Sequence, residues 1–189
     1  MIHHQFIWFD CETTGLDEHA PGAQMLEWAL ILAADDRDGD MSPVQEFTGV
    51  IHCPKPPPES CDLYVVGMHT KNGLWEDCAK SDTTAEETDD FLYSLLQIET
   101  GQDRPKDLTL AGSSINFDLR WCKKFLPKFA SALSYRVFDV STLWRAVESW
   151  APEGRSIALV GDATHRALDD IRRSLAIARQ ARTLMGWGK

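Results

Sequence analysis

The chain has 189 residues, 43% of them hydrophobic and 25% charged, so it is long enough for one domain with a real core and too apolar to remain disordered. Its formal net charge is −10 with no block of lysine or arginine, which argues against a surface that tracks long nucleic acid by counterion release. No run approaches the roughly 18 apolar residues of a membrane span, and "MIHHQFIWFD" lacks the charged start and long apolar core of a secretory signal, so a soluble, cytoplasmic protein is expected.

In chain order, residues 5–10 read as a strand rich in Phe, Ile and Trp, within "FIWFDCETTGLD". Residues two apart on a strand share a face, so Asp10 and Glu12 point the same way at its end. Two anions so close raise each other's pKa, and a divalent cation that prefers oxygen ligands, Mg²⁺ or Mn²⁺, removes the penalty. A solvated strand end feeding a Thr-Gly turn is the plainer alternative. "MLEWALILAA" (25–34) reads as a strand buried on both faces. "FTGVIH" (47–52) reads as a third strand, with the acidic turn "DDRDGD" between, and the three suit an antiparallel meander. "CPKPPPES" (53–60) cannot continue a strand or helix, because proline supplies no N–H; it reads as a surface loop leading to a short helix near 61–69. The five cysteines, an odd number with no C-x-x-C, read as reduced thiols. A zinc site from His52, Cys53, Cys61, His69 and Cys78 is the alternative, although its spacing fits no compact zinc module.

"TTAEETDDFLYSLLQIE" has early acids and later apolar spacing, which places a helix start near Thr84. "DLTLAG" (107–112) is the next strand, and "SINFDLRWCKKFLP" (114–127) a helix stopped by Pro127. Asp118 lies one turn into that helix, at the edge of an apolar stripe of Ile115, Leu119 and Cys122; alone, such an acid is most often solvated. "YRVFD" (135–139) is a short strand, followed by a helix in "VSTLWRAVESW" and a final helix over 165–185. Asp169 and Asp170 are adjacent, so only one can face a site. His165 precedes Asp170 by five positions, about 140° apart on a regular helix. Both serve one site only if His165 lies on the loop leading in, with Thr164 as a plausible N-cap. Strands first, then alternating helix and strand, describe an α/β domain with a mixed sheet, and no linker divides residues 1–189.

The order Asp-x-Glu, Asp, His-x-x-x-x-Asp is carried by "FIWFDCETTGLD", "MHTKNGL", "LAGSSINFD", "FLP", "YRVFDVSTL" and "HRALDDIRRS". Together these pieces resemble the DEDDh 3′→5′ exonucleases of the ribonuclease H-like fold, and among them most the oligoribonucleases. They span nearly the whole chain in the family's order, and the full set is specific where any one piece is weak. The resemblance implies an α/β, ribonuclease H-like mixed β-sheet flanked by α-helices in a single domain. It implies that Asp10, Glu12, Asp118 and Asp170 hold two divalent cations, Mg²⁺ or Mn²⁺, with Asp10 bridging, and that His165 is the general base. Such a pair of metals about 3.5–4 Å apart serves both the attacking and the leaving oxygen of an in-line displacement. Histidine, titrating near neutral pH, suits the base. The implied reaction removes nucleoside 5′-monophosphates from the 3′ end of very short single-stranded RNA, dinucleotides favoured.

By the same resemblance Leu16 wedges against the bases, Tyr64 stacks on one, and His69 contacts a phosphate. Ser114 caps a 5′ phosphate together with Arg136, Ser141 and Thr142, these three from the partner subunit of a homodimer. An arginine fork suits a terminal phosphate, and a closed pocket needs only local cations, which accounts for the acidic net charge. The chain departs from the family's usual residues at Tyr64 (usually Trp), Ser113 (usually Asn) and Phe117 (usually Gln), and in the proline-rich "CPKPPPESCDLYVV". These changes spare the metal ligands and fall on the nucleotide pocket. Two alternatives stand beside this reading. One is the same fold acting on longer single-stranded DNA or RNA, as in proofreading or repair, against which the retained "YRVFDVST" argues. The other is a catalytically silent nucleic-acid-binding module, against which all five filled catalytic positions argue.

Overall fold

The computed structural model describes residues 6–33, 41, 43–54, 61–158 and 164–185. Strands β1 (Phe6–Thr13), β2 (Met25–Ala33) and β3 (Pro43–Val50) form the expected antiparallel meander. Strands β4 (Leu108–Gly112) and β5 (Leu133–Asp139) join parallel to β1 on its other side, giving one mixed sheet ordered β3-β2-β1-β4-β5. Every residue of β2 is buried, as its unbroken apolar run requires. β3 starts at Pro43, four residues before the expected strand: on an edge strand the missing proline N–H disturbs no ladder. The "DDRDGD" turn and residues 55–60 of the proline-rich loop lie outside the described residues.

Alternation along β1 divides two cores. Ile7 and Phe9 face helices α3 (Ala85–Thr100), α4 (Asn116–Phe125) and α5 (Pro127–Ser131), with Leu92, Leu96, Trp121 and Phe129 packed against them. Trp8 faces the other way, onto α6 (Val140–Trp150) and α7 (Ala167–Leu184), through Val147, Ile171 and Leu175. A smaller cluster gathers Leu26, Cys53, Cys61, Val65, Leu74, Trp75 and Cys78 with α1 (Leu63–Lys71) and α2 (Leu74–Lys80).

Local chemistry sets most boundaries. Thr84 caps α3 through a reciprocal capping box with Glu87. Pro127 ends α4 as expected but also opens α5, because the first turn of a helix has no use for that N–H. The buried Asp89 then accepts from the free N–H groups of Lys128 (2.9 Å) and Phe129 (2.8 Å). α2 was not anticipated; it is one short helix after Gly73, whose φ of 79° suits glycine. α7 begins at Ala167 with Arg166 in the N-cap position, not Thr164, whose hydroxyl instead donates to Asp169 at 3.1 Å. All five cysteines are buried and none forms a disulfide. Among the described residues no helix is long and apolar enough to cross a membrane.

Candidate active site

The site forms where β1 outruns its parallel partner. β1 pairs with β4 only over Phe6–Trp8, and beyond that the strands part. The parting is tight at first: a Cβ on Gly112 would fall 2.7 Å from the Phe9 carbonyl oxygen. On the freed edge the Cys11 N–H donates to Asp118 Oδ1 at 2.9 Å. One backbone hydrogen bond thus brings an acid 107 positions away against the strand, and Asp118 is 3% exposed there rather than solvated.

Asp10 and Glu12 share the opposite face of β1 from Cys11, as strand geometry requires. Glu12 lies directly across from Glu27 of β2, a third acid on this face. The first turn of α7 adds Asp170, while Asp169 is exposed and turned to Thr164 and Arg172. His165 precedes α7 with φ of 52°, so it escapes the helical spacing that would have carried it away from Asp170. Such a left-handed conformation costs a non-glycine residue roughly 1–2 kcal/mol. Its result is that Glu12, His165 and Asp170 present ligand atoms all within 4.8 Å of one another, the one grouping of its kind among the described residues. The cysteines make no such group, so the zinc alternative falls: Cys53, Cys61 and Cys78 share an apolar cluster, and His52 turns to the Ser81 carbonyl.

The cluster is electrostatically overloaded. Burial, then Asp118, Glu12, Asp170 and Glu27, hold the Asp10 carboxyl well above its ordinary range. Burial, then Asp170 and Glu27, push Glu12 up to about 8. Burial lifts Asp118 to about 7 against the Cys11 hydrogen bonds, and burial also raises Asp170, opposed by His165. Acids this close cannot all ionise without added positive charge. Carboxylate oxygens with one imidazole form a donor set for a hard divalent cation, and the residues present fit that group.

His69 is not at a substrate surface. It is wholly buried, its Nε2 3.3 Å from the Thr13 carbonyl oxygen and 3.6 Å from Glu12, with Trp75 edge-on at 5.6 Å. Burial lowers its pKa to about 4, so the neutral ring supports the Glu12 strand end and offers no open face to a phosphate. Its place near the end of α1, on the side packed toward β1, is the reason. Leu16 and Tyr64 are 76% and 73% exposed. Tyr64 and His165 line one cleft of about 610 Å³, together with Leu63, Gly67, Met68, Lys71, Asn72 and Thr164.

At the β5–α6 junction Asp139 caps α6, accepting from the N–H groups of Ser141 (2.8 Å) and Thr142 (3.4 Å). Ser114, at φ 54°, donates its N–H to Ser141 Oγ (3.0 Å) and Asp139 (3.2 Å). Ser114, Ser141 and Thr142 are therefore neighbours within one chain. Arg136 is exposed and lies over the Tyr135 ring, 4.6 Å from its centroid. Sequence reading missed Glu27, which is 4% exposed and ion-paired with Arg166 at 2.8 Å. The signal was present: a single acid inside an otherwise apolar strand must find a partner.

The sequence profile of the exonuclease (RNase T) family matches residues 7–178. A probable oligoribonuclease of Schizosaccharomyces pombe is 31% identical over 177 residues, which span 92% of this chain and 66% of that protein. The mitochondrial oligoribonuclease of Homo sapiens is 32% identical over 174 residues, spanning 90% of this chain and 69% of that one. Among solved structures, Escherichia coli exonuclease I in complex with a dT13 oligonucleotide superposes with a TM-score of 0.70 at 14% identity, covering 96% of this chain and 41% of the other.

Proposed function

The chain belongs to the exonuclease (RNase T) family, on its oligoribonuclease side, and from that premise we propose that it is a divalent-metal-dependent 3′→5′ exoribonuclease for very short RNA, dinucleotides favoured. The observation that carries this reading is the convergence of Asp10, Glu12, Asp118, Asp170 and His165, drawn from one strand end, two helices and the turn before α7, at the end of β1. Asp10, Glu12, Asp118 and Asp170 would hold two Mg²⁺ or Mn²⁺ ions, which when bound would acidify water and offset charge on the scissile phosphate. His165 takes the proton of the attacking water. The new bond joins water oxygen to phosphorus, and the bond to the preceding 3′ oxygen breaks, that oxygen taking a proton from solvent water. A nucleoside 5′-monophosphate leaves, and the remainder keeps a 3′-hydroxyl. Asp118 is held in place by the Cys11 N–H, and Glu12 is backed by His69.

Tyr64, on the same cleft as His165, stacks a base; such stacking is worth about 1–3 kcal/mol. Leu16 wedges beside it. Ser114, Ser141 and Thr142, neighbours within one chain, cap the 5′ phosphate together with Arg136 from the partner in a homodimer that works in the cytoplasm. The net charge of −10 fits a closed pocket better than a long basic track.

Initial rates on 5′-labelled RNAs of two to ten nucleotides with Mn²⁺ test this. A steep preference for the dinucleotide is expected; a flat or rising profile selects a nuclease for longer strands. Arg136→Ala should weaken binding of 5′-phosphorylated dinucleotides about tenfold and of longer RNA hardly at all. Equal losses would remove the cap.

A further inference from the structure

The catalytic histidine does not hold itself in place. His165 stands outside α7, in a left-handed conformation at φ 52°. The stretch 164–167 is instead fastened from three other elements. From β2, Glu27 Oε2 accepts the Ala167 N–H at 2.9 Å, so a distant strand supplies the cap that Arg166, in the N-cap position, does not provide. Arg166 forks onto the same carboxylate, with Nε at 3.0 and 3.2 Å and Nη2 at 2.8 Å. Its third nitrogen, Nη1, reaches Asp77 of α2 at 3.0 Å and the Asn72 carbonyl at 3.5 Å. Asn72, at the end of α1, closes the ring: its Nδ2 donates to the carbonyls of His165 and, at 3.3 Å, Thr164.

We infer that Glu27, Arg166 and Asn72 are positioning residues, a clamp that keeps the His165 ring over Glu12 and Asp170. The inference rests on the reading of His165 as general base. It explains why a buried carboxylate stands directly across from Glu12, where like charges oppose pairing: Arg166 offsets the charge and converts Glu27 into an anchor. It also gives the "NGL" of "MHTKNGL" a task, because Asn72 both steers the turn into α2, accepting the Leu74 N–H at 3.1 Å, and holds His165. Arg166 is itself part of neither the cleft lining nor the metal-ligand grouping; it reaches the cleft through Asn72 and through the backbone of His165 beside it.

A double-mutant cycle separates positioning from simple support of the fold. Turnover and KM are measured on a short 5′-labelled RNA at saturating Mn²⁺ for Arg166→Ala, His165→Ala and the double variant. Arg166→Ala should lower kcat about 10–100-fold, since misplacement of a catalytic group by about 1 Å costs on that order, and change KM less than about threefold. In the His165→Ala background it should cost almost nothing more. Arg166→Lys keeps the charge but not the fork and should fail to restore the rate. Equal losses in both backgrounds, or no loss in the first, would overturn the clamp. If Arg166→Ala does not fold, Asn72→Ala, which removes the donor to the His165 carbonyl, enters the same cycle with the same expectation. Should His165→Ala alone keep full turnover, the general-base reading itself fails and the clamp with it.

Discussion

At the scale of single residues the site is a set of groups that disfavour one another. Asp10 is the centre: four other carboxylates raise its pKa, after burial. Removing its charge should therefore split function from stability. Asp10→Asn should abolish hydrolysis, yet in EDTA it should raise the Tm by about 2 °C or more, because a buried repulsion is relieved. Thermal unfolding with and without chelator checks this, and a lower Tm in EDTA would remove the electrostatic account. His69 teaches the complementary point. Its neutral ring touches Glu12 and the Thr13 backbone, so its contribution is to support the end of β1 from inside the fold.

At the scale of elements, the decisive event is the parting of β1 from β4 after Trp8. It frees the Cys11 N–H for Asp118 and opens the face on which Asp10 and Glu12 stand. Gly112 sets the approach at that fork, its α-carbon against the Phe9 carbonyl and its missing side chain also making room for Ile115, 2.9 Å from an added Cβ. Gly112→Ala should cost about 1–3 kcal/mol through forced separation of the strands, lowering Tm by roughly 2–4 °C per kcal/mol. Turnover should fall further than the stability loss explains, since the Cys11–Asp118 bond spans the same gap. Unchanged activity at lowered Tm would place the fork outside the catalytic geometry.

For the whole molecule, the same acids tie stability to pH and to cations. Glu12 and Asp118 have folded-state pKa values raised to about 8 and about 7, above their unfolded ones. Both states hold the protons in acid, so no penalty exists there. As pH rises past the unfolded values the open chain ionises first, and the folded state loses stability until about pH 8. His69, lowered to about 4, acts in the opposite sense: its contribution is complete above its unfolded value, near 6.5, and is lost as pH falls toward 4. Between about pH 6.5 and 8 the carboxylates alone decide, so the metal-free protein should become less stable there. Added Mn²⁺ should raise the Tm most at the alkaline end. Calorimetry across that window checks both signs; a metal-free Tm that rises with pH would contradict them.

The order of the five strands, the two-faced β1, the fully buried β2 and the start of α3 at Thr84 were legible because each follows from local rules of period and capping. Asp10, Glu12, Asp118 and Asp170, which the structure brings together, stand in the family's motifs, whereas Glu27 lies outside them. The partner of Glu27, the burial of His69, the second task of Pro127 and the left-handed turn at His165 were not legible. Each depends on what a distant segment brings to it, across separations such as the 139 positions between Glu27 and Arg166. Period and propensity describe a chain's neighbours in sequence, whereas charge, burial and strain are settled by neighbours in space.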